Sequence, residues 1–276
     1  MRVLFGSWKY VFKNFWFVLP LALVPAVFLS LSLDYASIGA LLQTFFSEEP
    51  VLTFPLVFRA LSLVRGNTVL GGVFGVCALL SVSLFAAILL CWTEKHMRIG
   101  KRTPSGAFRF FFSNLASVFG VIVLYLALYE LWCVVISAIL YAFGVLVKVA
   151  AGVRIISMLW FLLFLFVLLY LTTMFYLLLP CMQITGFSAY EALRYSYQLL
   201  VGVRWKLMLS FLISLVPYFV FVTVGAYFFS ELWFRVAMAL VFLFLFADFF
   251  VRMEVVYFKT DKIDREDILQ SYKKIK

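Results

Sequence analysis

Long apolar runs alternate with short polar segments along the whole chain. Six runs are long enough to cross about 30 Å of hydrocarbon as helices, which takes roughly 20 residues each. They cover approximately residues 15–33, 68–92, 115–146, 155–180, 207–229 and 234–258. Pro20 and Pro25 in the first run and Pro217 in the fifth predict kinks. The pattern therefore predicts an all-α, polytopic membrane helical bundle, with one transmembrane domain over 1–258 and a short cytoplasmic tail over 259–276.

A further apolar segment, 50–64, is short for a span. It includes Pro55, which interrupts helical hydrogen bonding, and Arg59, whose charge is costly to bury in hydrocarbon. Apolar segments of this length are typical of interfacial or re-entrant pieces. We therefore predict an interfacial or re-entrant segment here, and a spanning helix remains the alternative.

Amphipathic segments precede the first, third and fifth apolar runs. In the first, basic residues line one face and aromatic residues the other. In the second, Thr103 before Pro104 is a helix-start signal. In the third, Ser188 and Glu191 form an S-x-x-E capping box. Short sequence matches relate the three segments, so we predict six transmembrane helices in three hairpins, each preceded by a cytoplasmic interfacial amphipathic helix.

The composition supports a membrane protein and excludes a soluble enzyme. Hydrophobic residues make up 66% of the chain and charged residues 13%, whereas soluble domains average roughly 45–50% and 25%. The net charge is +10, and seventeen of the 23 lysines and arginines fall in segments that share one side of the membrane with the N-terminus. This bias predicts a multi-pass membrane protein with cytoplasmic N- and C-termini. Because membrane orientation accounts for the basic charge, we predict membrane lipids as partners and no nucleic acid.

The tail carries its own helix signal. Acidic residues come first, within 264–267, and lysines last, within 273–276, an order that suits the helix dipole. Apolar residues between them supply one face. We predict a short helix over 264–276 that docks on the cytoplasmic side of the bundle or on a partner.

The sequence contains none of the usual motifs for catalysis or cofactor binding. It has no H-E-x-x-H, no C-x-x-C, no G-x-S-x-G and no phosphate-binding glycine loop. The single histidine, His96, lies in a basic segment that we interpret as a solvated loop. We therefore predict that the protein is not an enzyme and binds no metal or cofactor.

Four ionisable side chains fall inside the predicted spans, where a central charge costs about 2.5–3.5 kcal/mol on insertion scales. They are Glu130 in the third span and Asp248, Arg252 and Glu254 in the sixth. Asp248 and Arg252 are four residues apart on one helix face, so one interpretation is a structural ion pair, with a neutral, hydrogen-bonded Glu130. The functional interpretation is that these residues line an intramembrane polar cavity for a lipid head group, an ion or a proton.

The polar face of the third amphipathic segment is a candidate interface. Its residues are Glu191, Arg194 and Gln198, followed by Arg204 and Lys206. Membrane anchoring is one interpretation, because basic side chains meet lipid head groups while aromatic rings lie at the interface. Docking of another membrane protein or a cytoplasmic protein is the other interpretation.

Residues 180–206 contain the pattern A-x-x-x-S-x-x-L-x-x-G-x-x-W, and residues 7–16 read S-W-K-x-x-F-K-N-F-W. Tyr257 and Phe258, directly before the polar tail, form a third short motif. In these motifs the chain resembles a bacterial six-span membrane protein family of unknown function, related to the membrane domain of glycerophosphoryl diester phosphodiesterases. The resemblance implies a bacterial plasma-membrane protein. The soluble hydrolase domain of the enzyme fusions has no counterpart in this sequence, so we do not expect hydrolase activity.

These observations indicate a non-catalytic integral membrane protein. The function that we predict is that of a transport-related or complex-forming subunit, which handles a lipid or amphiphile or docks a partner protein. A structural membrane assembly factor is one alternative. A membrane partner of a lipid phosphodiesterase is another, on the resemblance above.

Overall fold

The computed structural model describes residues 2–48, 50–63, 69–100, 107–147, 149–263 and 265–267, without the side chains of 2–4 and 107–114. The predicted helix start at Thr103 and most of the predicted tail helix lie outside these residues. All the regular elements of the described chain are helices: α1 (Arg2–Lys13), α2 (Phe15–Ser32), α3 (Tyr35–Phe46), α4 (Phe54–Leu61), α5 (Val69–Ile99), α6 (Ala107–Leu146), α7 (Ala150–Phe175), α8 (Leu178–Thr185), α9 (Ala189–Leu200), α10 (Arg204–Phe228) and α11 (Glu231–Thr260).

The six predicted apolar runs all form long helices, which confirms the all-α class. Six stretches are long and apolar enough to cross a membrane, and they fall in α2, α5, α6, α7 with α8, α10 and α11. Their outer surfaces expose valine and leucine, for example Val73, Val76 and Leu80 along α5. Exposed aliphatic side chains of this kind suit a lipid environment.

The six long helices form a closed ring in the order α2, α5, α6, α7, α10, α11, and α11 packs back against α2. The end that carries α1, α9 and the last turns of α5 and α11 is called the α1 end here. The opposite end, which carries α3 and α4, is called the α3 end. The largest buried cluster fills the α1 half of the bundle, and two smaller clusters lie beneath α3 and α4.

The polar segment after the second apolar run is helical rather than a loop. α5 continues to Ile99 and ends at Gly100, whose φ of 74° is the left-handed conformation that commonly terminates helices. His96 therefore lies on a helix, half-buried, and its Nδ1 is 2.7 Å from the hydroxyl of Tyr10. The expectation of a solvated loop histidine was wrong, because backbone hydrogen bonding carries the helix beyond the apolar run.

The predicted second interfacial helix is not a separate element. α6 runs without a break from Ala107 to Leu146, so that segment continues directly into the third span. By contrast, α1 and α2 are separated at Asn14, and α9 and α10 at residues 201–203. The three amphipathic segments therefore join their spans in different ways.

The α3 end contains one helix that the sequence interpretation missed. Asp34 caps α3, because its carboxylate accepts hydrogen bonds from the Ser37 backbone N–H at 3.3 Å and from the Ser37 hydroxyl at 2.8 Å. The ambiguous segment 50–64 forms α4, whose eight residues rise only about 12 Å. α4 is therefore too short to span a membrane, and it packs against α3 and α6.

Prolines act differently in different helices. Pro20 and Pro25 lie within α2, and Pro217 within α10, without ending either helix. The predicted fourth span, however, divides into α7 and α8 at Tyr176 and Leu177. Pro180 explains this break, because its ring would clash with the carbonyl group four residues earlier, that of Tyr176.

Candidate functional site

A buried ionic network surrounds Asp248 on α11. One carboxylate oxygen, Oδ1, accepts a hydrogen bond of 2.8 Å from the Ser7 hydroxyl on α1. The other, Oδ2, accepts one of 2.9 Å from the Ser214 hydroxyl on α10 and forms an ion pair with Arg252 Nη2. Arg252 Nη2 also lies 2.5 Å from the Ser214 hydroxyl. The network therefore joins three helices from distant parts of the chain.

The ion pair is almost completely removed from solvent. The side chains of Arg252 and Asp248 are 0% and 2% exposed. The guanidinium carbon of Arg252 lies 5.3 Å from the ring centroid of Phe211, a cation–π contact. Among the described residues, Arg252 Nε and Nη1 have no hydrogen-bond partner. Such a pair has no net charge. The attraction between its two charges offsets the free-energy cost of removing each of them from water.

Asp248 also forms part of the wall of a central cavity. The cavity has a volume of about 400 Å³ and is bounded by side chains from all six ring helices. Its wall is mainly apolar, with the hydroxyl groups of Ser32, Thr172 and Ser214 among the polar exceptions. Within the described lining, Asp248 is the only charged residue. The six ring helices therefore line a partly open apolar chamber, with a small polar patch where α10 meets α11.

Glu130 lies in a different environment, at the end of α4. Its carboxylate accepts hydrogen bonds from the Ser62 hydroxyl at 2.7 Å and from the Leu63 backbone N–H at 2.9 Å. The neighbouring Tyr129 hydroxyl donates to the Leu61 carbonyl at 2.6 Å. These bonds attach the segment after α4 to α6. Glu130 is thus a structural tether of the α3 end, and the structure does not bring it to Asp248.

Glu254 lies in a third environment, towards the α1 end of α11. The residue is fully buried, and within the described chain neither carboxylate oxygen has a hydrogen-bond partner. Its acidic neighbour is Glu94 on α5, which is also buried and pairs with Arg98 at 3.1 Å. The four candidate residues therefore occupy three separate places. Among them Asp248 lines the cavity itself, while Glu130 is bonded to Leu63 and follows Tyr129, both of which also line it.

Sequence reasoning did not include the two serines that complete the network. Ser214 is a small polar residue in the middle of an apolar run, a position where hydroxyl groups commonly bond between helices. That signal could have marked Ser214. Ser7 lies in α1, more than two hundred residues from Asp248, and no local pattern joins the two. Only the packing of α1 against α11 brings them together.

The candidate interface on α9 has one buried and one exposed side. Ala192, Ser196 and Leu200 are buried at four-residue spacing and face α7, α8 and α11. The predicted polar residues are exposed or, for Arg204, half-buried: Glu191, Arg194, Gln198, Arg204 and Lys206. The polar stripe is therefore free of contacts within the described bundle, apart from bonds local to α9 and its junction with α10.

Local bonds fix both ends of α9. The Glu191 carboxylate accepts hydrogen bonds from the Ser188 hydroxyl at 2.7 Å and the Ser188 backbone N–H at 3.0 Å, and these bonds lower the pKa of Glu191. Near the other end, Arg204 donates to the Tyr197 carbonyl at 2.9 Å and stacks on the Tyr197 ring. Both the start of α9 and its junction with α10 are therefore well defined.

A further bond connects α9 to the end of α11. The Tyr195 hydroxyl donates to Asp261 Oδ1 at 2.6 Å, and this hydrogen bond to a carboxylate raises the pKa of Tyr195 to about 12. Because Asp261 directly follows α11, the orientation of α9 is fixed relative to the helix that carries the ionic network.

Comparison with known proteins adds no relative: no family model, curated protein or solved structure matches the chain. Within the described residues, no group of three histidine, cysteine, aspartate or glutamate side chains is placed to hold a metal ion. The fold and site therefore define the protein by its geometry. It is a helical bundle with six membrane-length helices around an apolar chamber, and a buried ion pair lies in the chamber wall.

Proposed function

We propose that the protein binds a lipid-like amphiphile inside its membrane bundle, as a non-catalytic transport-related or complex-forming subunit. The observation that carries the proposal is the central cavity, whose apolar wall ends at the Asp248 network. Ligand pockets are mostly apolar, of roughly 300–1,000 Å³, with a few polar groups that orient the ligand. The cavity, at about 400 Å³, has that size and character.

The chemistry of the wall favours an amphiphile with a small, uncharged polar group. Asp248 is already neutralised by Arg252, so a charged head group would bring an unpaired charge into an apolar site. A hydroxyl or amide group can instead donate a hydrogen bond to the Asp248 carboxylate or form one with the Ser214 hydroxyl, and it brings no charge. The apolar part of the ligand would lie against side chains such as Leu79, Leu169 and Phe246.

The membrane orientation in this proposal follows the distribution of basic residues. The α1 end is cytoplasmic, in a plasma membrane, and the α3 end faces outside. α1 and α9 then lie at the cytoplasmic side of the first and third helical hairpins. Cysteine labelling with an impermeant reagent tests this: a cysteine at Phe46 should react from outside, and one at Lys259 should not. Outside labelling at Lys259 would reverse the orientation.

The ligand experiment uses a matched pair of substitutions on α5. Ala78 is buried and lines the cavity, so Ala78→Phe should fill part of it, whereas Val76→Phe changes a side chain on the outer surface. The proteins are purified in mild detergent and incubated with tritiated dodecanol that carries a photoactivatable diazirine. We expect saturable labelling of peptides from α10 and α11, reduced at least tenfold in Ala78→Phe and retained in Val76→Phe.

Two results would contradict the proposal. One is labelling confined to the outer surface of the bundle. The other is equal labelling of the cavity peptides in both variants. Mass spectrometry of lipids that co-purify with the unlabelled protein then identifies the natural ligand class, and the Ala78→Phe variant should carry less of it.

A second candidate function, docking of a partner protein, rests on the exposed polar stripe of α9. Arg194→Glu reverses a charge within that stripe, and Lys259→Glu does so at the same end of the bundle outside it. Co-purification should lose a partner in Arg194→Glu alone. A lipid phosphodiesterase among the lost partners would agree with the family resemblance. Equal recovery of every partner from both variants would leave α9 as a membrane anchor.

A further inference from the structure

Two buried glutamates lie towards the α1 end, on neighbouring helices. Glu254 on α11 is 0% exposed and Glu94 on α5 is 3% exposed. The two helices pack against each other, and Glu94 is the charged residue that acts on Glu254 through space. Neither glutamate is among the residues that line the central cavity. The pair is therefore separate from the chamber, and an inference from it does not rest on the proposed function.

The two carboxyl groups differ in their partners. Glu94 forms an ion pair of 3.1 Å with Arg98, whose side chain is 56% exposed, and Lys95 adds a second positive charge nearby. Neither carboxylate oxygen of Glu254 has a hydrogen-bond partner among the described residues. Glu94 therefore has the counter-charge that a buried carboxylate needs, and Glu254 lacks it.

The other ionisable groups beside Glu254 are cysteines and a tyrosine. Cys91 on α5, Cys181 on α8 and Tyr176 between α7 and α8 interact with it electrostatically, and all three are buried. On α11 itself, Tyr257 lies one turn further on, close to Asp261. None of these side chains supplies a positive charge.

The basic residues of the helices packed on α11 are engaged elsewhere or face outwards. Arg252 is bonded to Asp248 and Ser214, and His96 to Tyr10. α2 contains no ionisable side chain. The basic residues of α1, α9 and the start of α10 are exposed or half-buried: Lys9, Lys13, Arg194, Arg204 and Lys206. Within the described chain, the positive charge near the pair therefore acts on Glu94.

This asymmetry determines which glutamate is neutral. An ionised Glu254 would be a charge without a partner in an apolar interior, next to a second negative charge. Two neighbouring carboxyl groups in such a site share one proton, and the group without a counter-charge keeps it. The proton therefore belongs on Glu254, while Glu94 stays ionised beside Arg98.

We propose that Glu254 is a proton-binding site of the bundle, and that Glu94 passes protons between this site and the α1 end. Rotation about the side-chain bonds brings the two groups together. The proton of the Glu254 carboxyl group then moves to the Glu94 carboxylate, which leaves Glu254 ionised. Glu94 exchanges this proton with water beside the exposed Arg98 side chain and returns one to Glu254. Charge and protons balance, and water is the other reactant.

Infrared spectroscopy of the protein in mild detergent tests the site, because a protonated carboxyl group has a C=O stretching band that a carboxylate lacks. Deuteration shifts this band and leaves the ester bands of residual lipid unchanged. At neutral pH, wild-type protein should show a band at the high frequency of a carbonyl group without a hydrogen bond. Glu254→Gln should lose it. Glu130→Gln, which removes a hydrogen-bonded carboxyl group, should retain it.

The rate of deuterium exchange tests the role of Glu94. After transfer to heavy water, the Glu254 band should shift as O–D replaces O–H. Glu94→Gln should keep the band and slow this shift at least tenfold. The matched control is Glu231→Gln, at an exposed glutamate of the α3 end that also pairs with an arginine four residues later. It should keep the wild-type rate. Loosened packing would speed exchange, so slower exchange distinguishes a relay from structural damage.

Each part of the proposal has its own contrary result. A wild-type spectrum without a band that depends on Glu254 overturns the proton site, because Glu254 is then ionised. Exchange at the wild-type rate or faster in Glu94→Gln overturns the relay and leaves the site intact. Methionine, which also removes the carboxyl group, replaces glutamine at either position where the glutamine variant does not fold.

Discussion

Asp248 and Glu254 lie six residues apart on the same helix and are both buried, yet their surroundings are opposite. Three groups stabilise the Asp248 carboxylate: the hydroxyls of Ser7 and Ser214 and the guanidinium of Arg252. Within the described chain, Glu254 has no hydrogen-bond partner, and its charged neighbour, Glu94, is itself acidic. Burial alone therefore does not define a site. The donors around a carboxylate decide whether it can remain charged inside a bundle.

The largest expected effect is the loss of one partner in the ion pair. Asp248→Asn removes the charge that compensates Arg252, and breaking a buried pair from one side costs about 3–5 kcal/mol. We expect a large decrease in melting temperature and in folded yield in mild detergent. Adding Arg252→Met should restore most of the stability, because an apolar pair of similar volume leaves no charge unpaired. A double mutant no more stable than the single mutant would contradict this account.

Glu130 should show an intermediate effect, because the Ser62 hydroxyl and the Leu63 N–H that bond it are neutral donors. Glu130→Leu would leave the Ser62 hydroxyl and the Leu63 N–H without their acceptor, at a cost of about 1–3 kcal/mol. The loss should be local, with faster proteolysis between α4 and α5. Proteolysis at the wild-type rate in a stably folded Glu130→Leu protein would contradict the role of Glu130 as a tether.

Glu254→Gln should have a much smaller effect on stability. The substitution keeps the shape of the side chain and removes a carboxyl group that makes no hydrogen bond with the described residues. We expect the free energy of unfolding to stay within about 1 kcal/mol of wild type, as an unpaired group has no bond to lose. A loss as large as that of Asp248→Asn would mean that Glu254 has a partner essential to the fold.

Glu191→Gln, at an exposed residue, should have the smallest effect on stability, and this effect should depend on pH. Its pKa is lowered in the folded state by the bonds from Ser188, so its contribution is present above the ordinary glutamate pKa. The contribution is lost as pH falls through the lowered value. A cysteine at Tyr190 should therefore label more slowly in the Glu191 protein than in the Glu191→Gln protein at neutral pH, and the ratio of the two rates at equal pH should approach one below the ordinary glutamate pKa. Equal pH dependence in both proteins would contradict a role for the cap.

The sequence predicted the number and positions of the long helices, because membrane length and hydropathy constrain them strongly. The ends of these helices were predicted less well. Hydropathy marks only the apolar run, whereas the helix continues to a residue that terminates it. α5 passes through Glu94 and His96 to Gly100, and the glycine was the better signal. α3 was missed because its 12 residues are too few to span a membrane and so fall outside a pattern of membrane-length runs.

The candidate site was predictable only where it is local. Asp248 and Arg252 are four residues apart on a helix, so their pairing follows from helical spacing. The bonds to Ser7 and Ser214 connect different helices, and Glu130 and Glu254 belong to other neighbourhoods for the same reason. Such long-range placement depends on how the ring closes, which no short motif encodes.

Ring closure also orders the biogenesis of the protein. α2 packs against both α5 and α11, so one of its two main packing surfaces stays uncovered until the last long helix is inserted. Until α11 enters the bilayer, the nascent chain has an open bundle, and α1 has no α11 to dock on. Contacts this distant in sequence form late, because they require a large loop to close. A chain truncated before α11 would expose the seams of α2 and α10 together, which is a recognisable signal for membrane quality control.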